Sequence, residues 1–192
     1  MSSQAPPRAV LDSDIIFSRV LHELIGRLAA RLRLLDLFWS EELLAEAKRS
    51  LIHRKGLSDV TAQRWVDYLR QNFPAGKTEI DRALSESELT SLTLDAGDRH
   101  VCALCLAAKA NYLFTHDRGY LQEALQQRGI AVVRPEQFLL AAFEEQPRAV
   151  LEVLELQAET WAGGQPLEEL LDTIDRAGAS EFAAAVRASL EP

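Results

Sequence analysis

Apolar residues follow two alternating patterns along the first two thirds of the chain. Short continuous apolar runs predict buried strands at 9–11, 37–39, 112–115 and 130–133. Between these runs, apolar residues at helical spacing predict helices at 17–35, 41–53, 58–73 and 97–110, and one more that ends at 128. Because strands and helices alternate, we expect an α/β domain with a parallel sheet and right-handed crossovers.

Polar and special residues mark some of the element ends. Ser40 fits the N-cap of the helix over 41–53, and Gly56 ends that helix. The stretch 77–94 is ambiguous, because its apolar residues fit either short strands or an extended loop.

The pattern changes after the last predicted strand. From Pro135 onward one helix follows another, separated by proline and glycine. We therefore expect a disordered lead over 1–7, an α/β domain over 8–139 and a helical extension over 140–192. The extension would serve as a cap on the domain, as a partner-binding surface or as an oligomer contact.

The composition of the 192-residue chain narrows the class of protein. With 47% hydrophobic residues, a chain of this length buries a core without disulfide staples. We expect a cytoplasmic protein that does not enter the membrane, because neither a long apolar run nor a signal peptide is present. The net charge of -8 argues against a broad basic surface for nucleic acid. It leaves room for a nucleic-acid enzyme whose acidic residues surround metal ions.

The two cysteines, Cys102 and Cys105, have the C-x-x-C spacing of a redox pair or of half a zinc site. They lie inside the apolar run VCALCLAA, and no second cysteine pair exists to complete four zinc ligands. We therefore expect buried core thiols.

Four carboxylates stand where a parallel sheet would gather them. Asp12 and Asp117 each come at the end of a predicted strand. Asp98 opens the helix that leads into the third strand, and Glu46 borders the buried face of a helix. Since ligands bind at the carboxyl ends of parallel strands, we expect these side chains to converge. Mg²⁺ or Mn²⁺, as one or two ions, would offset their mutual repulsion, although each acid taken singly also fits a turn, a cap or a solvated face.

Four segments of the chain resemble the PIN-domain family, and within it the VapC-like toxins: VLDSDIIFS, WSEELLAEAKRSL, DAGDRHVCALCLAAKANYLFTHDRGYL and IAVVRPEQFL. The resemblance implies a PIN-like three-layer α/β/α fold with a central parallel sheet, to which the helical extension is added. The acids that it assigns to metal binding and catalysis are Asp12, Glu46, Asp98 and Asp117. The residues that it places in supporting positions are Thr115, Asp14 and Ser13.

The activity implied by the resemblance is that of a ribonuclease dependent on Mg²⁺ or Mn²⁺ that leaves a 5′-phosphate. Family members of this type are often the toxin of a type II toxin-antitoxin pair. The expected partners are therefore an RNA substrate, a cognate antitoxin protein and a second copy of the chain in a homodimer.

Two other functions stay open at the level of sequence. Asp12 and Asp14 form a D-x-D pair after a strand, as in phosphatases of the haloacid dehalogenase type, but Cys102 stands where the late motif of those enzymes needs an aspartate. The second alternative is a non-catalytic PIN-like interaction module whose extension binds a partner. Basic residues at Arg99 and over 49–55 would contact phosphates or lie on solvated helix ends.

Overall fold

The computed structural model of the chain describes residues 5–80 and 84–190. Within them, short strands form one parallel sheet in the order β2-β1-β3-β4. The strands are Arg8–Leu11 (β1), Asp36–Phe38 (β2), Tyr112–Phe114 (β3) and Ala131–Val133 (β4). Val10 pairs with Phe38 on one side and Leu113 on the other, and Leu113 pairs in turn with Val132. The predicted parallel sheet is confirmed.

Helices connect and cover these strands. Those that precede β4 are Ser13–Phe17 (α1), Arg19–Leu32 (α2), Glu41–His53 (α3), Asp59–Asn72 (α4), Glu86–Thr90 (α5), Arg99–Ala107 (α6) and Gln122–Gln127 (α7). Those that follow β4 are Pro135–Glu145 (α8), Pro147–Thr160 (α9), Leu167–Arg176 (α10) and Ser180–Leu190 (α11). Single 3-10 turns lie at Pro74–Gly76, Ala96–Asp98 and Trp161–Gly163.

The central strand β1 is covered on both faces. Ala9, Val10 and Leu11 are each at most 1% exposed. Because successive strand residues point to opposite faces, apolar side chains must pack against both sides of the sheet. The fold is therefore of the mixed α/β kind that the sequence predicts, consistent with a PIN-like α/β/α architecture.

Side-chain caps fix the starts of the helices nearest the sheet. The amide of Leu43 donates to Oγ of Ser40 at 3.2 Å, which confirms Ser40 as the N-cap of α3. Asp12 caps α1 in the same way through the amide of Ser13. Each cap satisfies a backbone amide that the first turn of a helix leaves without a partner.

Several elements differ from the prediction. The helix expected over 17–35 is α2, and it spans the shorter range Arg19–Leu32. The short helix α1 precedes it without having been predicted, and Ser18, whose backbone is extended, separates the two. The helix expected over 97–110 begins as a 3-10 turn and becomes α-helical only at Arg99. The ambiguous stretch 77–94 contains the short helix α5, which the apolar pattern does not indicate. Within it, Thr93 forms an isolated antiparallel bridge with Tyr120.

The C-terminal helices share the core of the sheet domain. Helices α8, α9 and α10 contact α2, and α11 packs on α8 and α10. The buried amide of Gln157 on α9 donates to the carbonyl of Val20 at 3.2 Å, while Phe143 and Phe182 meet edge to face at 6.1 Å. The expected boundary at 139/140 falls inside α8, so the division into two units stays a prediction. The expected lead over 1–7 lies mostly outside the described residues.

Across residues 5–80 and 84–190, none of the helices combines the length and the apolar character that crossing a membrane requires.

Candidate active site

The site forms where β1 and β3 end side by side. The amide of Asp12 donates to the carbonyl of Phe114 at 2.9 Å, which ties the end of β1 to β3. Oδ2 of Asp12 accepts hydrogen bonds from Thr115 Oγ1 and Tyr120 Oη, both at 2.8 Å. The carboxylate of Asp12 is only 3% exposed, so these donors hold it rigidly at the floor of the site.

Burial also changes the acidity of Asp12. Desolvation, and after it the charge of Asp14, raise the pKa of Asp12 to about 6. The hydrogen bonds from Tyr120 and Thr115 favour the ionised form and limit this rise in pKa. Since Tyr120 is itself buried beside Asp12, its own pKa is raised far above the usual range, and it acts purely as a donor.

Asp98 reaches the same place from the start of α6. Oδ1 of Asp95 accepts the amide of Gly97 at 2.8 Å, and this local turn ends at Asp98. Burial, and next to it the charge of Asp12, raise the pKa of Asp98 to about 7. Among the described residues, the buried Oδ2 of Asp98 has no hydrogen-bond partner. Asp98 is thus a carboxylate whose charge the surrounding protein leaves uncompensated.

Asp117 follows β3 on the more exposed side of the site. Its amide donates to Thr115 Oγ1 at 2.9 Å, and its Oδ1 accepts the amide of Gly119 at 2.5 Å. A β-carbon placed on Gly119 would lie 3.1 Å from Oδ1 of Asp117 and 3.9 Å from Oδ2 of Asp98. The two carboxylates therefore flank Gly119, and a larger side chain there would crowd both of them.

Glu46 lies beside this group but is engaged elsewhere. Ser13 Oγ donates to Oε1 of Glu46 at 2.8 Å, and Nε2 of His100 lies 2.8 Å from Oε2. Contact with His100 holds the pKa of Glu46 below its ordinary value. Burial lowers the pKa of His100, but Glu46 outweighs that effect, so the pKa of His100 lies above its ordinary value. The two residues form an ion pair at the edge of the site.

Asp14 braces the loop after β3. Oδ2 of Asp14 accepts the amide of His116 at 2.8 Å, and Nδ1 of His116 lies 3.4 Å from the same oxygen. On its other side His116 faces the turn between α10 and α11, where a β-carbon on Gly178 would lie 3.2 Å from Nε2. Asp14 thus links the start of α1 to the segment that carries Asp117.

Tyr120 and His100 make contacts at the site that the sequence pattern does not predict. Tyr120 stands in the segment THDRGYL, and only its buried position reveals that its hydroxyl reaches Asp12. His100 follows Asp98 by two residues, which on a helix start does not indicate a partner on α3. Both contacts join elements far apart in sequence, so spacing carried no signal for them.

The carboxylates do not form a closed metal-ligand set as they stand. Among residues 5–80 and 84–190, no group of three or more His, Cys, Asp or Glu side chains has an arrangement that could hold an ion. The donor chemistry nevertheless fits Mg²⁺ or Mn²⁺, which prefer carboxylate oxygens. The unpartnered Oδ2 of Asp98, beside Asp12 and Asp117, is where positive charge is lacking. Glu46 joins such a set only by giving up His100.

The cysteines take no part in this chemistry. Cys102 and Cys105 are buried free thiols, as predicted. Burial, with the charges of Asp98 and Asp12 adding to it, raises the pKa of Cys102 to about 12. Burial raises the pKa of Cys105 well above its ordinary value as well. Both thiols stay protonated near neutral pH and serve as apolar core groups.

Comparison with known protein families gives a match over the part of the chain that builds this site. A family model described as "PIN domain" matches residues 10–140, more than half of the chain. No curated protein and no solved structure matched the chain. The matched range contains each of the four candidate acids.

Proposed function

The chain belongs to the PIN-domain family, and from this premise we propose that it is a metal-dependent endoribonuclease. The proposed catalytic and metal-binding residues are Asp12, Glu46, Asp98 and Asp117. The proposed supporting residues are Ser13, Asp14 and Thr115. PIN domains generally act as nucleases. For this chain we propose the substrate, the metal and the role of each residue.

The observation that carries the proposal is the uncompensated carboxylate of Asp98. A buried charge without a partner destabilises a fold, and a protein that keeps one gains something from it elsewhere. Here the unpartnered oxygen lies near other acids, and burial together with their charges raises the pKa of Asp98 to about 7. A divalent cation would remove that repulsion, so the arrangement favours a metal site over a purely structural role.

Mg²⁺ or Mn²⁺, one or two ions, would supply activation of water and neutralisation of charge on the transferring phosphoryl group. Thr115 and Tyr120 fix the orientation of the Asp12 carboxylate. Asp98, whose pKa is about 7, would hold a cation in its ionised form and would release its proton on binding it. The contact with His100 favours the ionised form of Glu46, which is the form that would bind a cation.

The finer biological role proposed is that of a toxin in a type II toxin-antitoxin pair. Support comes from the resemblance of the segments around the four acids to VapC-like toxins. On this proposal the chain acts on RNA, is held inactive by a cognate antitoxin protein and forms a homodimer. We propose that it works in the cytoplasm, where such substrates are found.

The phosphatase alternative is less favoured by the contacts of Asp14. In a D-x-D phosphatase the second aspartate would act as an acid beside the first, but Asp14 points to the amide of His116 instead. The family match to a PIN domain also favours a nuclease. An inactive interaction module would have no use for acids that repel one another at the end of the sheet.

The test is cleavage of total RNA with Mn²⁺, with and without excess chelator. We expect metal-dependent cleavage that leaves 5′-phosphates, and a loss of at least about a hundredfold in Asp98→Asn and in Asp12→Asn, because each removes a ligand charge. The matched control is Asp95→Asn, which makes the same chemical change nearby and preserves a side chain able to cap the turn.

Two outcomes would reject the proposal. One is turnover of p-nitrophenyl phosphate with RNA left intact, which would identify a phosphatase. The other is absence of any cleavage in the wild type while a partner protein copurifies through 140–192, which would identify an interaction module.

A further inference from the structure

A cleft of about 600 Å³ opens between the sheet domain and the C-terminal helices. Its walls combine aromatic rings with cationic side chains. The residues that define this tryptophan cleft are Phe17, Arg19, Lys55, Trp65, Trp161 and Arg176. Since Trp161 and Arg176 come from the C-terminal part of the chain, the cleft exists only because that part packs on α2.

The cations of the cleft lie against aromatic rings. The guanidinium of Arg19 is 4.7 Å from the ring of Trp161 and 6.0 Å from that of Trp65. Oε1 of Glu23 lies 2.7 Å from Nε of Arg19 and orients the group. Nζ of Lys55 lies 4.7 Å from the ring of Trp65. The cleft thus presents flat apolar surfaces and positive charge at one place.

The charge of the cleft contrasts with that of the rest of the molecule. The chain carries a net charge of -8, whereas three cations line the cleft and Asp14 is the carboxylate that lines it with them. Within the described part of the chain, Lys55 and Arg176 form no ion pair. Burial lowers the pKa of Lys55, as expected for a cation whose charge no neighbouring carboxylate offsets.

One end of the cleft adjoins the candidate active site. Asp14 and His116 line both the cleft and the segment that supports the carboxylates. Asp14 is separated from Asp12 by one residue, and His116 lies between Thr115 and Asp117. A chain of nucleotides bound in the cleft would therefore pass beside the segments that carry Asp12 and Asp117.

We propose that the tryptophan cleft binds the single-stranded RNA segment next to the cleaved phosphodiester, and this rests on the nuclease function proposed above. Arg19, Lys55 and Arg176 contact its phosphates, and the indole rings pack against its bases. Aromatic rings with interleaved cations are how proteins hold single strands without reading their sequence. An acidic catalytic site repels RNA, so the affinity has to come from a neighbouring cationic surface.

The test is a titration of the full chain, in excess chelator, with an RNA oligoadenylate of about eight nucleotides. Tryptophan fluorescence measures the binding. We expect quenching in the wild type. In Lys55→Glu/Arg176→Glu we expect affinity to fall about tenfold or more, and the slope of log K against log salt to lose about 0.7 for each contact removed. Trp161→Phe should reduce the amplitude of quenching. Both charged positions are exposed, so the fold tolerates the substitutions.

The matched control is Arg31→Glu/Arg148→Glu, which makes the same change of charge at exposed positions outside the cleft. Equal weakening in both double variants would overturn the cleft proposal, because net charge alone would then explain binding. Quenching by polyglutamate in place of oligoadenylate would also overturn it and would identify an acidic peptide as the ligand.

Binding in chelator needs no catalysis, so this test separates the cleft from the nuclease proposal. Metal-dependent cleavage together with unimpaired binding by the cleft variant would reject the cleft and keep the nuclease. Cleft-dependent binding by a wild type that never cleaves RNA would keep a single-strand site and reject its placement next to a cleaved bond.

Discussion

At the scale of single residues, Asp98 makes the candidate site costly to the fold in the absence of metal. Its pKa is about 7 in the folded protein against an ordinary value of 3.8. The folded chain therefore binds a proton between about pH 4 and 7 that the unfolded chain has released, and its stability falls as pH rises over that range. In chelator, we expect Asp98→Asn to be more stable than wild type at pH 8 by about 1 kcal/mol, after allowance for solvent screening.

Thermal denaturation at pH 5 and pH 8 measures this effect. The gain in stability of the variant over wild type should be smaller at pH 5 than at pH 8, because the wild type loses stability as pH rises from about 4 to 7. If the difference in melting temperature between the variant and the wild type were the same at both pH values, ionised Asp98 would not destabilise the folded protein. Adding Mn²⁺ should stabilise the wild type and leave Asp98→Asn nearly unchanged.

His22 gives the opposite dependence on pH. It is fully buried on α2, with its ring 5.4 Å from Tyr68 and 6.3 Å from Trp65. Burial lowers its pKa from 6.5 to about 4. The unfolded chain takes up this proton first, so the folded state loses stability as pH falls from about 6.5 toward 4, by up to about 3 kcal/mol.

Replacing His22 with leucine, an apolar residue of similar size, isolates this contribution. We expect urea denaturation of His22→Leu to lose less stability between pH 6.5 and 4.5 than the wild type loses. Parallel curves for the two proteins would mean that the imidazole titrates normally in the fold.

The position of a site residue in the chain decides whether the sequence can predict it. Asp12 and Asp117 directly follow apolar strands, and parallel strands bring their ends together, so their positions carried the signal. The sequence gives no signal for the contacts of the next two residues: Ser13 binds Glu46, and Asp14 binds the amide of His116. They depend on side-chain rotation at the start of α1, which a one-dimensional pattern does not encode.

At the scale of elements, the junction of β2 with the turn at Pro74–Gly76 is the tightest contact of backbones. A β-carbon on Gly76 would lie 1.9 Å from the carbonyl oxygen of Leu37. The carbonyl of Gly76 also accepts the amide of Trp39 at 3.0 Å, so the two segments cannot separate without losing that bond. Glycine is required here by space and not by backbone angle.

We expect Gly76→Ala to destabilise the protein by about 3 kcal/mol, because backbone atoms and not a flexible side chain must move. Ala75→Ser, at the exposed neighbouring position, should change stability by less than about 0.5 kcal/mol. Chemical denaturation measures both. A Gly76→Ala variant as stable as Ala75→Ser would show that the junction is loose.

The sequence predicts a helix correctly where the helix is long enough to show apolar periodicity and has a capping residue at its start. Helix α3 has Ser40 as its cap and begins and ends where its apolar spacing indicates. Helices α1 and α5 have five residues each, too few for periodicity to separate them from turns. Helix α5 depends on a local capping box between Ser85 and Glu88 and has no buried residue, so the pattern of apolar residues does not reveal it.

At the scale of the whole molecule, the C-terminal helices complete the core of the sheet domain. Helix α2 has eight buried residues, and α8, α9 and α10 contact it. We expect removal of 147–192 to expose this apolar surface and to give a protein that aggregates or lacks a cooperative transition.

Size-exclusion chromatography and calorimetry of the shortened chain test this expectation. Coexpression of 147–192 as a separate chain should restore a compact complex, because the same apolar faces would meet again. A monomeric shortened chain with a sharp thermal transition would show that the sheet domain folds without the C-terminal helices.

Gly178 joins the two halves of the molecule at a sensitive point. It has a φ of 94°, which strains any other residue, and a β-carbon there would press on the ring of His116 at 3.2 Å from Nε2. In a genetic selection for loss of toxicity or nuclease action, inactivating alleles would then arise at codon 178 as well as among the acids. Such an allele would map far from the codons of the four candidate acids, yet its defect would be transmitted through one imidazole to Asp117.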